Sequence, residues 1–168
     1  MTAAYQMLES TAAANPLDLI EDLALGHGWS LARPHEEEAQ MIVATPATEL
    51  QVSLSWNPDN ELLQLAAMYD FRVPQARRAE AMRLIGLLNE RLAAGHFEIW
   101  SREGLVLYRN ALLLAGGAPA TPAQCEALIA TAVQACAAHY PAFQFVLWAG
   151  RRAEEALRDC IFETAGEA

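Results

Sequence analysis

Apolar positions recur along the chain with two different periods, and the switches between them divide it into elements. From Trp29 to Phe71 the period is two. Leu50, Val52, Leu54 and Trp56 alternate with Gln51, Ser53 and Ser55, which predicts a strand with one buried and one wet face. Asn57-Pro58-Asp59-Asn60 reads as a turn with proline preset at its second position, and a partner strand follows from about Glu61 to Phe71. A strand near Met41–Ala44 and a short one near Trp29–Ala32 complete a meander, with Pro34 and Pro46 as breaks.

Helical spacing governs the rest of the chain. Asn15-Pro16-Leu17-Asp18 is a helix start, in which Asn15 caps, Pro16 suits the first turn and Asp18 meets the positive end of the dipole. Leu17, Ile20, Leu23 and Ala24 then share a face, and Gly26 supplies a stop. A second helix opens at Pro74 and reaches about Ala94 on a stripe of Ala81, Ile85, Leu88 and Leu92, with Gly95 after it. Thr121-Pro122-Ala123-Gln124 matches a capping box, and the helix behind it carries Leu128, Ile129, Ala132, Val133 and Tyr140 on one side. Pro141 is expected to start a last helical region through Val146, Leu147 and, after Gly150, Leu157 and Ile161. Residues 1–14 read as an alanine-rich, frayed lead-in and 15–168 as one domain without internal repeats.

The segment HFEIWSREGLVLYRNALLLAGG, residues 96–117, reads as a hairpin whose second strand is apolar on both faces. A four-residue loop Ser101-Arg102-Glu103-Gly104 pairs Trp100 with Leu105, Ile99 with Val106 and Phe97 with Tyr108. Phe97, Ile99, Val106, Tyr108 and Leu112 then share a core-like face. The opposite face carries Trp100, Leu105, Leu107, Ala111 and Leu113, interrupted by Glu98 and Arg109. A three-residue loop ending at Gly104 would shift the pairing by one, but the first register keeps the aromatic and β-branched positions together. Mixed apolar and polar faces of this kind mark contacts with another chain. Folding of the C-terminal helices over the face is the competing explanation.

Helix, three or four strands, helix, two strands, helices is the element order of an α+β domain, an antiparallel sheet packed on helices. The chain's 168 residues suffice to bury roughly 70% of the unfolded surface in one core. Apolar residues make up 54% and charged ones 19%, which argues against disorder. The formal net charge is −10 and the pI about 4.8; all eleven basic residues are arginine, spread along the chain. Such a surface repels phosphate, so neither nucleic acid nor an anionic membrane is an expected partner. MTAAYQMLESTAAANP lacks the basic start and apolar core of a signal peptide, and no apolar stretch has the ~18 residues of a membrane span. Three cysteines, Cys125, Cys136 and Cys160, are too few for a disulfide scaffold, and a reducing cytoplasm is expected.

Candidate chemistry is sparse. His35-Glu36-Glu37-Glu38 could supply acid–base groups, but a charged inter-strand loop explains it. Cys125, Cys136 and His139 fall within about 60° on a helical wheel, yet the two cysteines stand about 16 Å apart along the axis, too far for one zinc tetrahedron. They read as small core residues. Gly26-His27-Gly28 and Gly116-Gly117 fall short of a phosphate-binding fingerprint, the serines form no nucleophile elbow, and His96 has no identifiable partner. Arg77-Arg78 and Arg151-Arg152 could bind an acidic partner, although a solvated helix face is the plainer reading. No enzymatic activity, metal or cofactor is therefore expected.

Several strings resemble the YbjN-domain family. They are Leu84-Ile85-Gly86-Leu87-Leu88-Asn89-Glu90-Arg91-Leu92, Gly95-His96-Phe97-Glu98-Ile99-Trp100, Glu103-Gly104 and Arg109-Asn110-Ala111-Leu112-Leu113-Leu114. Gly117, Thr121 and Gln124 match its glycine-then-capped-helix step, and the run from Tyr140 to Gly150 with Glu155-Ala156-Leu157 looks like the end of its alphaproteobacterial branch. The similarity spans roughly residues 15–167. It implies a type III secretion chaperone-like fold, commonly a dimer of acidic chains. It also implies the label of a sensory transduction regulator, with no established enzymatic activity or cofactor. The expected function is a cytoplasmic protein-binding module, a chaperone-like or regulatory adaptor forming a homodimer, with Trp100, Leu105, Leu107 and Leu113 as candidate partner contacts. The alternative is a small-molecule sensor with a pocket between sheet and helices lined by Trp56, Tyr69 and Phe71, though core packing also explains those aromatics.

Overall fold

The computed structural model describes residues 14–166, so the lead-in expected over residues 1–14 falls, except for Ala14, outside the described residues. Asn15 caps the first helix, α1 (Pro16–His27), by accepting from the Leu17 amide at 3.0 Å. The helix runs past Gly26, the expected stop, because Gly28 at φ +70° supplies the left-handed turn that ends it.

Four strands follow as a meander: β1 (Leu31–His35), β2 (Glu38–Ala44), β3 (Glu49–Asn57) and β4 (Leu62–Arg72). The expected break at Pro34 is instead a position within β1. That strand lies at the sheet edge and carries an irregularity between Ala32 and His35, where a missing N–H costs no ladder bond. The acidic run is accordingly a tight turn at Glu36 and Glu37, with Glu38 already on β2.

A single 3-10 turn (Gln75–Arg77) leads into α2 (Arg78–Asn89), shorter at both ends than the Pro74–Ala94 span expected. The hairpin β5 (His96–Trp100) and β6 (Leu105–Leu113) completes one fully antiparallel six-stranded sheet, ordered β1-β2-β3-β4-β6-β5. Gly95, at φ +66°, leads into β5 where a Cβ would fall 2.2 Å from the Tyr108 hydroxyl, so only glycine fits.

Thr121 and Gln124 form the expected capping box on α3, which runs from Pro122 to Leu147 without interruption at Pro141. Proline inside a helix costs about 3 kcal/mol. Phe143 and Val146, both fully buried beyond it, contribute about 1.5–3 kcal/mol each by burial and offset that cost. The last helix, α4 (Ala153–Gly166), packs on α3 and α2.

The four helices of the described residues gather on one side of the sheet, with α3 over β4 and β6 and α1 over β3. Between the layers sit the alternate residues Leu50, Val52, Leu54, Trp56, Leu63, Leu65 and Tyr69. Tyr69 stacks on Phe71 at 5.0 Å, lies 5.5 Å from Phe143, and donates its hydroxyl to the Cys136 carbonyl at 2.7 Å. Trp56, Tyr69 and Phe71 are thus part of the interior packing, the plainer of the two readings of these aromatics.

One member of the arginine pairs, Arg77, is engaged within the chain. Arg77 donates to the Val146 and Arg151 carbonyls at 2.8 and 2.7 Å, closing the end of α3, while Arg83 pairs with Glu154. The guanidinium of Arg77 thus meets one carbonyl at the end of α3 and one in the connection to α4.

Candidate functional site: the open face of the sheet

The hairpin adopts the four-residue-loop register, with Trp100 opposite Leu105, Ile99 opposite Val106 and Phe97 opposite Tyr108. Gly104 makes the loop fit: at φ +70° it returns its amide to the Trp100 carbonyl at 2.7 Å and accepts from the Val73 amide at 2.8 Å. Period-two geometry then sends Phe97, Val106 and Tyr108 into the core. Trp100, Leu105, Leu107 and Leu113 go to the side away from the helices.

That open face is laid out in rows across the strands. One row runs Ile42, Gln51, Met68, Leu107, Glu98; the next runs Gln40, Ser53, Ala66, Arg109, His96. Leu62 stands opposite Leu113 at one end. Leu113 is 64% exposed, Ile42 57% and Trp100 39%, whereas Leu105 is half-buried. Leu107 is fully buried although it stands apart from the core that the helices close over. As a direct partner contact it is therefore unavailable. It forms the floor of the face beneath its neighbours, and the pattern of side-chain types along β6 carries no signal of this.

A carboxylate organises the side chains around it. Glu98 accepts from the Trp100 indole N–H at 3.0 Å and lies 3.5 Å from the Arg109 guanidinium and 3.6 Å from His96 Nε2. Glu98 stands opposite Leu107 on the neighbouring strand, so the hydrogen bond ties the indole to the row that holds that leucine. A shallow cleft of about 290 Å³ lies between Trp100 and Arg109 on one side and Glu38 and Gln40 on the other, floored by Ser53 and Ala66. Small floor residues between taller walls make a trough.

The sheet edges are closed in contrast. Asn89 donates to the Phe97 carbonyl at 3.0 Å and accepts from its amide at 2.8 Å, occupying groups of β5 that a further strand would use. At the opposite edge Pro34 offers no donor, and Asn15 and Arg33 both donate to the Glu36 carbonyl. A partner strand has little to pair with at either side, which leaves the face.

Burial disfavours the charged forms of three side chains on α3. Burial pushes the Cys136 thiol up to about 12 and raises Cys125, and both thiols are free. Such thiols are inert packing groups, as their sequence context predicts. Burial, and secondarily the charge of Arg91, lowers His139, which packs edge-on against Phe97 at 5.9 Å. Among the described residues no three His, Cys, Asp or Glu side chains are grouped to hold a metal, and no helix is long and apolar enough to cross a membrane.

The family model described as "Putative bacterial sensory transduction regulator", YbjN, matches residues 16–145. The chain belongs to the YbjN family. Among solved structures it is similar to the crystal structure of the ExsC–ExsE complex, with TM-score 0.51 and 20% identity over 80% of this chain and 95% of that one. YbjN from E. coli aligns with TM-score 0.48 and 11% identity over 74% of this chain and 93% of that one. A comparison with curated proteins gave no match. The architecture is thus the α+β, type III secretion chaperone-like fold of a YbjN-family chain, as its sequence strings imply.

Proposed function

We propose that this YbjN-family chain is a protein-binding module without catalytic activity, a chaperone-like or regulatory adaptor of the cytoplasm. It takes its partner on the open face of the sheet. The observation that carries the reading is a sheet face that no helix of the described residues covers. The described helices all pack on one side, and on the other Leu113, Ile42 and Trp100 remain exposed, with Trp100 forming part of the trough wall. Monomeric domains rarely leave a sheet face with large apolar side chains unpartnered. The similarity to the ExsC–ExsE complex supports the fold's capacity to carry a protein partner. Trp100 and Leu113 are the direct contacts in this reading, Leu105 lies at the margin, and Leu107 supports them from beneath. Pairing of two copies into a homodimer is part of the same proposal.

Tagged full-length protein, alongside Leu113→Asp and Trp100→Ala, tests it by capture from source-cell extract and by light scattering. Wild type is expected to retain one protein reproducibly, and both variants to lose at least ten-fold of it with unchanged melting temperature. Capture unaffected by both variants, or a stoichiometric bound metabolite in native mass spectrometry, would overturn the reading.

A further inference from the structure

A second surface lies on the helical side, far from the trough in the fold. α1 and α3 pack against each other, and along their outer seam runs an apolar cleft of about 230 Å³, walled by Leu23, Trp29, Ile129, Ala130 and Val133. A neighbouring cleft of about 360 Å³ shares Leu23 and His27 and extends the seam to Leu19 and Pro122. From Pro122 to Gln134 the α3 bank rises by about 18 Å at 1.5 Å per residue, the length of a three-turn helix. Its residues 122, 126, 129, 130, 133 and 134 recur at helical spacing along one stripe.

The rim is acidic. Asp22 and Glu126 border the seam, and among the described residues no arginine lines it. Arg33, the cation nearest in sequence to the end of α1, is engaged by Asp18 and Glu21. His27 stacks on Trp29, with ring centroids 4.4 Å apart and planes 13° from parallel, and its Nε2 lies 3.8 Å from Glu126. A flat aromatic pair beside a carboxylate suits a guanidinium, which can stack on the rings and pair with the acid together.

We infer that the α1–α3 seam is a docking groove for a basic amphipathic helix of a partner protein. About three turns would lay apolar side chains between Leu23 and Val133, with an arginine over Trp29 and Glu126. Charge decides among the occupants. A second copy has its arginines spread along a chain of net −10, and residues 1–13 of this chain contribute one acidic side chain and no basic one, so neither offers a basic segment to an acidic rim. The inference rests on the reading of the chain as a protein-binding module but uses a different surface.

The probe is a fluorescein-labelled 14-residue peptide with leucines at helical spacing and arginines on its flanks, compared with the same peptide carrying glutamates. Anisotropy and amide chemical shifts are recorded on the full chain. The basic peptide is expected to shift Leu23, Trp29 and Val133 and to weaken as salt rises. Ala130→Arg should lower its affinity at least ten-fold, Asp22→Asn with Glu126→Gln several-fold, and Leu113→Asp not at all. Thermal melts confirm that each variant folds.

Equal binding of the acidic peptide, shifts confined to Trp100 and Leu113, or no binding overturns the inference. So does a dimer abolished by Ala130→Arg, which would make a second copy the occupant. Shifts in residues 1–13 caused by Ala130→Arg without peptide would instead place that segment in the groove. If Leu113→Asp alone abolishes peptide binding, the groove fails while the open-face reading stands.

Discussion

The two faces of the sheet are built from similar materials to opposite ends. On the covered face Phe97, Val106 and Tyr108 meet Phe143, Val146 and Ala142 from α3 with almost no access to water. Across β6, a residue's width away, Leu105, Leu107 and Leu113 are just as apolar, yet they lie among Glu98, Arg109 and His96. Hydrophobic content does not distinguish the faces. What distinguishes them is the company each keeps. The covered face tolerates a polar atom only when it is matched, as the Tyr69 hydroxyl is by the Cys136 carbonyl, whereas the open face is arranged around a carboxylate that water still reaches.

Four substitutions sharpen this contrast, beginning with the largest effect. Phe143→Ala empties the centre of the aromatic cluster and should lower stability by about 3–5 kcal/mol in urea unfolding. Leu107→Ala removes a side chain just as buried but roofed by neighbours on the open face, which can settle into the gap. The expected loss is about 2 kcal/mol, the low end for a leucine truncation. A cost as large as that of Phe143→Ala would mean that the open face is as rigid as the core.

His139→Gln acts through pH. The folded chain holds this imidazole below its ordinary value of 6.5, so the unfolded chain takes up the proton first. Stability present at neutral pH is therefore lost as pH falls through that value, and the variant should flatten this part of the melting-temperature profile. Leu113→Asp comes last. At 64% exposure it should change folding stability by less than about 1 kcal/mol, and a larger loss in thermal melts would mean that the leucine belongs to the core.

Much of this architecture is legible in the amino-acid order because local chemistry and global packing agree. The alternation of β3, the cap at Asn15, the capping box at Thr121 and the hairpin register all follow from rules that span a few residues. The misses occur where distant packing overrides a local signal. Pro141 breaks a helix in isolation but not when Phe143 and Val146 beyond it are drawn onto the sheet. Pro34 ends a strand in the middle of a sheet but not at its margin. At the open face the apolar positions could be read, but the depth of Leu107 could not. Its burial depends on side chains of adjacent strands rather than on its own type. The seam between α1 and α3 escaped because it exists only once two segments about a hundred residues apart lie side by side.

Asn89 has a consequence larger than its size. One carboxamide at the end of α2 answers the outward N–H and C=O of Phe97 together, so the molecule ends its own sheet with an imitation of the next strand. In a crowded cell this is a safeguard against fibrils. Chains that meet rim to rim find that place already taken, and growth with the ~4.7 Å repeat of stacked strands has no template there.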